Sequence, residues 1–336
     1  MNWLALDIGG ANLKAADGRG FSAAQPFALW QEPNQLHQAI AEILSIAPPC
    51  TAVAVTMTGE LADCYPTKRE GVRQILEQVG QGAGDRVLRV YRTAGDFVNV
   101  ADAVRDPHLV SASNWHALAT WASHQLPATA GVLIDIGSTT TDLIPIHNER
   151  VCAVGHTDSE RLMSGELVYT GIRRTPVATL VSDLPYRGTR CAVARETFAT
   201  TLDVYLTLKE LTEDPEDCTT ADGRPATRQA AHNRLARMLC LDEEDITTED
   251  CHRMAASVMD SQIQLIQNAL TQVLGRQKQK PPIAILSGSG EFLARQILQQ
   301  TAPEIRVDSL SEHGVLKDSQ CAPAHAVAVL AEEQCT

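Results

Sequence analysis

Gly131-Val-Leu-Ile-Asp135-Ile-Gly137-Ser138-Thr139-Thr140-Thr141-Asp142-Leu-Ile-Pro-Ile146 reads as an apolar strand, a turn of small residues and a second apolar strand. The same order opens the chain, in Trp3-Leu-Ala-Leu-Asp7-Ile-Gly9-Gly10-Ala-Asn12-Leu-Lys14-Ala-Ala16. Superposing Asp7-Ile-Gly9 on Asp135-Ile-Gly137 sets Asn12 opposite Thr140 and Lys14 opposite Asp142, at a constant offset of 128 residues. Self-similarity at that distance predicts two related halves. In both copies the chain returns to a strand-like run, so each is a β-hairpin and not the strand-to-helix turn of a Rossmann or Walker loop. A third strand and glycine turn, Ile283-Ala-Ile-Leu-Ser287-Gly288-Ser289-Gly290, differs: Glu291 to Gln300 has helical spacing, which predicts a helix starting just after the glycines.

Around these motifs, strands alternate with helices, and the expected class is α/β with mixed sheets in two lobes. Helices are predicted over 68–81, 112–124, 228–240 and 248–276, with a final helix from Ala322 to Glu333 closing the fold. The expected division is 1–126 for the first lobe and 127–336 for the second, the latter holding a mostly helical insertion at about 152–280. Within that insertion, residues 212–225 are polar and turn-rich, which predicts a surface loop, either a lid or disordered.

The 336 residues are enough for two domains or one large one, with a sizeable core. Against 28 basic residues stand 41 acidic ones, a formal charge of -13, which argues against a nucleic-acid partner. Aromatic residues make up 4%, too few for base-stacking platforms. The apolar runs are strand-sized and Met1-Asn-Trp-Leu-Ala-Leu-Asp7 has neither a basic start nor an unbroken apolar core, so a cytoplasmic protein with no membrane contact is expected. Nine cysteines form no CxxC pair, which predicts reduced, mostly buried thiols and disfavours zinc.

Each hairpin puts a carboxylate at a strand end and free backbone N–H groups in the turn, a concave nest suited to phosphate. The candidate phosphate binders are Gly9, Gly10, Asn12 and Lys14 in the first turn, Gly137, Ser138, Thr139 and Thr140 in the second, and Gly288, Ser289 and Gly290 in the third. If the halves are two-fold related, Asp7 and Asp135 face one cleft and suit a hydrated magnesium ion, with Asp142 as a further candidate.

This ordered set resembles the acetate and sugar kinase, heat-shock protein 70 and actin superfamily, and within it the hydantoinase/oxoprolinase group, through Leu133-Ile-Asp135-Ile-Gly-Ser-Thr-Thr-Thr-Asp142. The resemblance implies a duplicated actin-like ATPase (ribonuclease H-like) fold with two lobes around a phosphate-binding cleft. It makes the two hairpin turns phosphate loops and Gly288-Ser289-Gly290 an adenosine loop. Ala5 to Lys14, Thr56 to Asp63, Ala112 to Ala117, Gly155 to Leu162, Gly165 to Gly171 and Ala221 to Pro225 are similar to a narrower branch, found beside tetrahydromethanopterin-linked one-carbon genes. In methanogens that branch includes an enzyme of methanofuran biosynthesis that joins an aminomethylfuran-methyl diphosphate to the phenol of γ-glutamyltyramine and releases diphosphate.

Such a reaction needs a cradle for charge growing on the leaving diphosphate, and a base for a phenol whose pKa is about 10. Lys14, Glu60, His156 and Glu166 are the candidate catalytic residues, with Asp63 a further candidate base, and Arg161, Arg173 and Arg174 are candidates for holding substrate anions. The implied partners are a small diphosphate substrate and a phenolic acceptor carrying tyramine or tyrosine, with magnesium as cofactor and a homodimer as a possible assembly. Two rival readings stand beside this one: an ATP-dependent kinase or hydantoinase-like hydrolase, with ATP the less favoured ligand, and a non-catalytic ATP-sensing module.

Overall fold

The computed structural model describes residues 1–126, 130–312 and 319–335. In the first half the elements run β1 (Trp3–Ile8), β2 (Asn12–Ala16), β3 (Ser22–Pro26), α1 (Leu36–Ile46), β4 (Ala52–Met57), α2 (Lys68–Ala83), β5 (Val87–Tyr91), β6 (Phe97–Val98), α3 (Val100–Arg105) and α4 (Asn114–Gln125). The second half follows with β7 (Ala130–Ile136), β8 (Thr141–His147), β9 (Arg150–Val151), α5 (Asp158–Ser164), β10 (Leu167–Val168), α6 (Val177–Leu180), β11 (Asp183–Tyr186) and β12 (Thr189–Ala192). It ends with α7 (Thr201–Thr207), α8 (Arg228–Arg237), α9 (Thr248–Gly275), β13 (Ile283–Ser287), α10 (Glu291–Thr301), β14 (Arg306–Ser309) and α11 (Ala322–Cys335).

The two main sheets repeat one plan. The first has the order β3-β2-β1-β4-β5-β6, and the second β10-β8-β7-β13-β14 with β9 on β8. In each, a central strand carries its hairpin partner antiparallel on one side and two parallel strands on the other. Every residue of β1 and β4 is buried, as a strand covered on both faces requires. Duplication is visible in the register itself: Asp7 pairs with Lys14 and Asp135 with Asp142. This is the α/β, duplicated actin-like architecture.

Helices depart from the sequence reading at their ends, and the cause is local backbone. The helix predicted from residue 112 starts at Asn114 because Ala112 has φ 46°, outside helical space. The one predicted to residue 240 ends at Arg237, and Cys240 has φ 58°. Conversely, α2 runs past residue 81 to Ala83 and stops at Gly84, φ 62°.

Lobe membership also differs from the division at residues 126 and 127. Helix α4 packs Trp115, Leu118, Trp121 and Ala122 on Leu133, Ile144 and Ile285 of the second sheet. Helix α11 packs Val327, Leu330 and Ala331 on Trp3, Ala5, Ala52 and Ala54 of the first. Each helix therefore covers the sheet of the other half. The stretch 152–280 is likewise more than an insertion. Strand β10 extends the second sheet, and α9 buries Met254, Val258, Ile266 and Leu270 in the core that covers it. Residues 212–225 form a held loop: Asp214 bridges Ala226, Glu213 pairs with Arg228, and Asp222 pairs with the buried Arg234.

Candidate functional site at the cleft between the sheets

The two hairpin turns close with the same bond. The Gly9 N–H donates to the Asn12 carbonyl at 3.0 Å, and the Gly137 N–H to the Thr140 carbonyl at 2.9 Å. Each turn then sits at the end of its central strand, with Asp7 or Asp135 just inside it. Lys14 Nζ lies 3.9 Å from Asp7 Oδ2. Burial pushes the Asp7 carboxyl up, and Lys14 pulls it back. Asp135 is pushed up to about 7, first by burial and then by the Asp142 carboxylate, while Lys14 also bears on it. Lys14 thus bears electrostatically on both strand-end carboxyls, and it is within ion-pair reach of Asp7.

The third turn completes the far wall. The Gly290 N–H donates to the Ile136 carbonyl at 2.9 Å, and a Cβ on Gly288 would lie 2.4 Å from that oxygen and 2.6 Å from Asp135 Oδ1. With φ 82° as well, position 288 accepts only glycine. Ser289 lies between these two glycines, ahead of α10. Segment 171–174 closes on the second turn: Ile172 donates to Gly137, and Arg173 and Arg174 both donate to Ser138, through their backbone N–H groups. Ser138 and Thr139 hydroxyls are 3.4 Å apart, whereas Thr141 is buried and donates to the Thr170 carbonyl.

Of the expected catalytic acids, Glu60 and Glu166 have opposite fates. Glu166 is fully buried and accepts from Val154 N–H at 2.8 Å, Gly155 N–H at 2.9 Å and Ser164 Oγ at 2.9 Å, with Arg276 at 3.4 Å. Every lone pair is engaged, so Glu166 is a structural anchor for the loop before α5 and not a base. Glu60 follows β4, is also buried, and leaves Oε2 without a hydrogen-bond partner among the described residues. Its carboxyl is pushed up to about 7 by burial, against the pull of Lys68.

Three anion or metal candidates are already spoken for. Arg161 is 1% exposed, ion-paired to Asp142 and stacked 4.0 Å from the Trp115 ring. It cannot reach substrate, and Asp142, turned to Arg161, leaves the metal set. Arg173 is ion-paired to Asp217, tying the 212–225 loop to the second turn. His156 is exposed on the loop before α5, and its backbone N–H donates to Glu160. Among the described residues its ring makes no hydrogen bond to the glycine turns. No group of three or more His, Cys, Asp and Glu side chains in metal-binding arrangement occurs among the described residues. Asp7 and Asp135 nonetheless fit magnesium. Among the described residues Asp7 Oδ1 is buried without a hydrogen-bond partner, the donors are all oxygen, and magnesium commonly uses one or two carboxylates with phosphate oxygens completing its shell.

Sequence reasoning missed a further level of the duplication. Register pairs Asp7 with Thr56 and Asp135 with Ser287, and four residues on from each stand Glu60 and Glu291. Both carboxyls are pushed up by burial, and among the described residues each keeps one oxygen unpartnered. The signal was legible in Thr56-Met-Thr-Gly59-Glu60 against Ser287-Gly-Ser-Gly290-Glu291. Trp30 was missed too. It stands on the loop after β3, its ring 5.5 Å from the Arg174 guanidinium of the other lobe.

A sequence model of the hydantoinase/oxoprolinase family matches residues 51–334. The chain belongs to the hydantoinase/oxoprolinase family. Within reach of this family member are two curated relatives of the same name. The chain is 33% identical over 334 residues to the (4-{4-[2-(gamma-L-glutamylamino)ethyl]phenoxymethyl}furan-2-yl)methanamine synthase of Methanocaldococcus jannaschii, with 98% of each chain covered. It is 32% identical over 205 residues to that of Methanococcus vannielii, covering 60% of this chain and 91% of the relative. Among solved structures, a ROK family glucokinase from Streptomyces griseus in complex with glucose and AMPPNP aligns at 13% identity and TM-score 0.48, over 99% of this chain and 100% of that one. The branch similarity read from the motifs therefore extends over nearly the whole family member.

Proposed function

We propose that this chain is a transferase of methanofuran-type cofactor biosynthesis, joining an aminomethylfuran-methyl diphosphate to the phenol of a glutamyl-tyramine or glutamyl-tyrosine acceptor. The phenol oxygen bonds to the furan-methyl carbon as the carbon–oxygen bond to diphosphate breaks, and the phenol proton goes to a base. The observation that carries this reading is the pair of matched hairpin turns, each with an aspartate just inside it and Lys14 3.9 Å from Asp7. Two sets of backbone N–H groups and one ammonium meet a diphosphate from both sides, where charge develops on the leaving group. The relatives' names agree with it.

Glu60 is the base in this scheme. It keeps an unpartnered oxygen and has a carboxyl near 7, close to the working pH that proton abstraction favours. Asp7 and Asp135 are the residues that would hold magnesium, which would supply charge neutralisation on the diphosphate. Lys14 orients the anion and Ser138 and Thr139 offer it hydroxyl donors. A second reading, ATP-dependent phosphoryl transfer or hydrolysis, is favoured by one observation, the glycine turn at 288–290 that leads directly into the 11-residue helix α10.

Incubation of the protein with the diphosphate ester, the phenolic amide and magnesium should yield the aryl ether and one diphosphate per ether, followed by mass spectrometry and diphosphate release. Asp135→Ala and Lys14→Ala should abolish release with the fold intact, and Glu60→Gln should lower kcat by roughly 10²–10⁴. Turnover of ATP without ether formation sinks the proposal.

A further inference from the structure

We propose that Trp30 and Arg174 form a ligand subsite at the mouth of the cleft, Arg174 taking an oxyanion of a phosphoryl group and the Trp30 ring the flat face of an aromatic group bonded to it. The inference rests on the transferase reading, in which a furan ring and a diphosphate belong to one substrate and need adjoining sites. The two side chains come from opposite lobes but are tied to the two hairpin turns by the same kind of bond. Leu29 N–H, one residue before Trp30, donates to the Gly10 carbonyl at 3.0 Å, and Arg174 N–H donates to the Ser138 carbonyl at 3.0 Å. Both residues thus lie on segments that adjoin the turns that would hold the phosphates.

Their state fits a binding role better than a structural one. Trp30 is 40% exposed, whereas Trp3, Trp115 and Trp121 are each 4% or less. Arg174 is exposed and makes no ion pair among the described residues, although its neighbour Arg173 is committed to Asp217. The contact of Arg174 is the Trp30 ring at 5.5 Å. A cation resting on an exposed aromatic face is weakly held, and a phosphoryl oxygen, which a guanidinium meets with two parallel hydrogen bonds, outcompetes it. Moving the guanidinium to the anion uncovers the ring beside it.

The test uses the whole chain and magnesium with inorganic diphosphate, then benzyl diphosphate, which adds an aromatic ring to the same anion. Because the other three tryptophans are buried, acrylamide quenching of tryptophan emission reports on Trp30. Diphosphate is expected to change quenching in the wild type and not in Trp30→Phe. By calorimetry, Arg174→Ala should weaken diphosphate binding by roughly 10- to 100-fold and Arg174→Lys by less. Benzyl diphosphate should bind the wild type several-fold more tightly than diphosphate does, a preference lost in Trp30→Ala. Unchanged affinity in Arg174→Ala, or quenching that ignores a saturating anion, overturns the subsite while leaving ether formation to be judged separately. If ATP binds in place of diphosphate, with Trp30 responding and Arg174 required, the subsite stands and the transferase reading falls.

Discussion

Burial decides which of the acidic side chains at the cleft remain available for chemistry. Asp142 and Glu166 are both engaged by strong donors, Arg161 in one case and three neutral donors with Arg276 in the other. Breaking a buried ion pair by removing one partner costs about 3–5 kcal/mol, because the other charge is left uncompensated. Asp142→Ala should therefore destabilise the protein by about that much in urea unfolding, and wild-type stability in this variant would remove the structural role assigned to it. Glu60 makes a prediction of the opposite kind. With its carboxyl raised from 4.5 to about 7, the folded state holds more protons than the unfolded one between those values. Unfolding free energy then falls as pH rises through that window and levels off above it, by about 3 kcal/mol for this one group. Glu60→Gln should lose that component, so its stability advantage over the wild type should grow from pH 5 to pH 8 in parallel thermal scans. The candidate carboxylates were legible as residue types. Which were paired was not, since Arg161 meets Asp142 across 19 residues and Arg276 meets Glu166 across 110.

At the level of elements, the hairpin turns were readable because their determinants are local: apolar alternation, then glycine, then apolar alternation again. Helix α2 shows where local rules stop. It contains Gly71, Gly80 and Gly82, and by propensity alone alanine would stabilise each by about 1 kcal/mol. At Gly80 nothing lies within 4 Å of a new Cβ, so Gly80→Ala should stabilise by roughly that amount. At Gly71 the Cβ would fall 2.5 Å from the Glu60 carbonyl oxygen and 2.8 Å from its Cα. Gly71→Ala should instead destabilise the protein and lower kcat by displacing Glu60. Paired melting curves and activity measurements check both, and equal behaviour of the two variants would show that Glu60 is not held by α2. The 212–225 loop was readable as polar and turn-rich, but its anchoring to Arg173 and Arg234 depends on residues 44 and 12 positions away.

Across the whole molecule the exchange of α4 and α11 ties the halves together. Each sheet is covered by a helix from the other half, and Ala117 of α4 packs with Val327, Ala328 and Leu330 of α11. Ion pairing of Lys68 on α2 with Asp158 on α5, at 3.1 Å, adds a further link across the cleft, although a half-exposed pair contributes only about 0–1 kcal/mol. The lobes should therefore unfold in one calorimetric transition. Removing residues 322–336 should expose Trp3, Ala5 and Ala52 and collapse the protection of β1 in hydrogen exchange, even though β1 lies at the opposite end of the sequence. Two separate transitions in the intact chain, or a protected β1 in the truncated one, would contradict this coupling.

The order of apolar strand, small-residue turn and apolar strand at an offset of 128 residues already determined a duplicated α/β fold and the loops that would meet phosphate. These depend on contacts between residues close in sequence, where alternation and turn chemistry suffice. Only the tertiary structure decided that Arg161 and Glu166 are internal supports, that Glu60 keeps a free oxygen, and that Trp30 meets Arg174. Such outcomes depend on which side chains are driven out of water against one another, a competition among distant partners that no local pattern encodes.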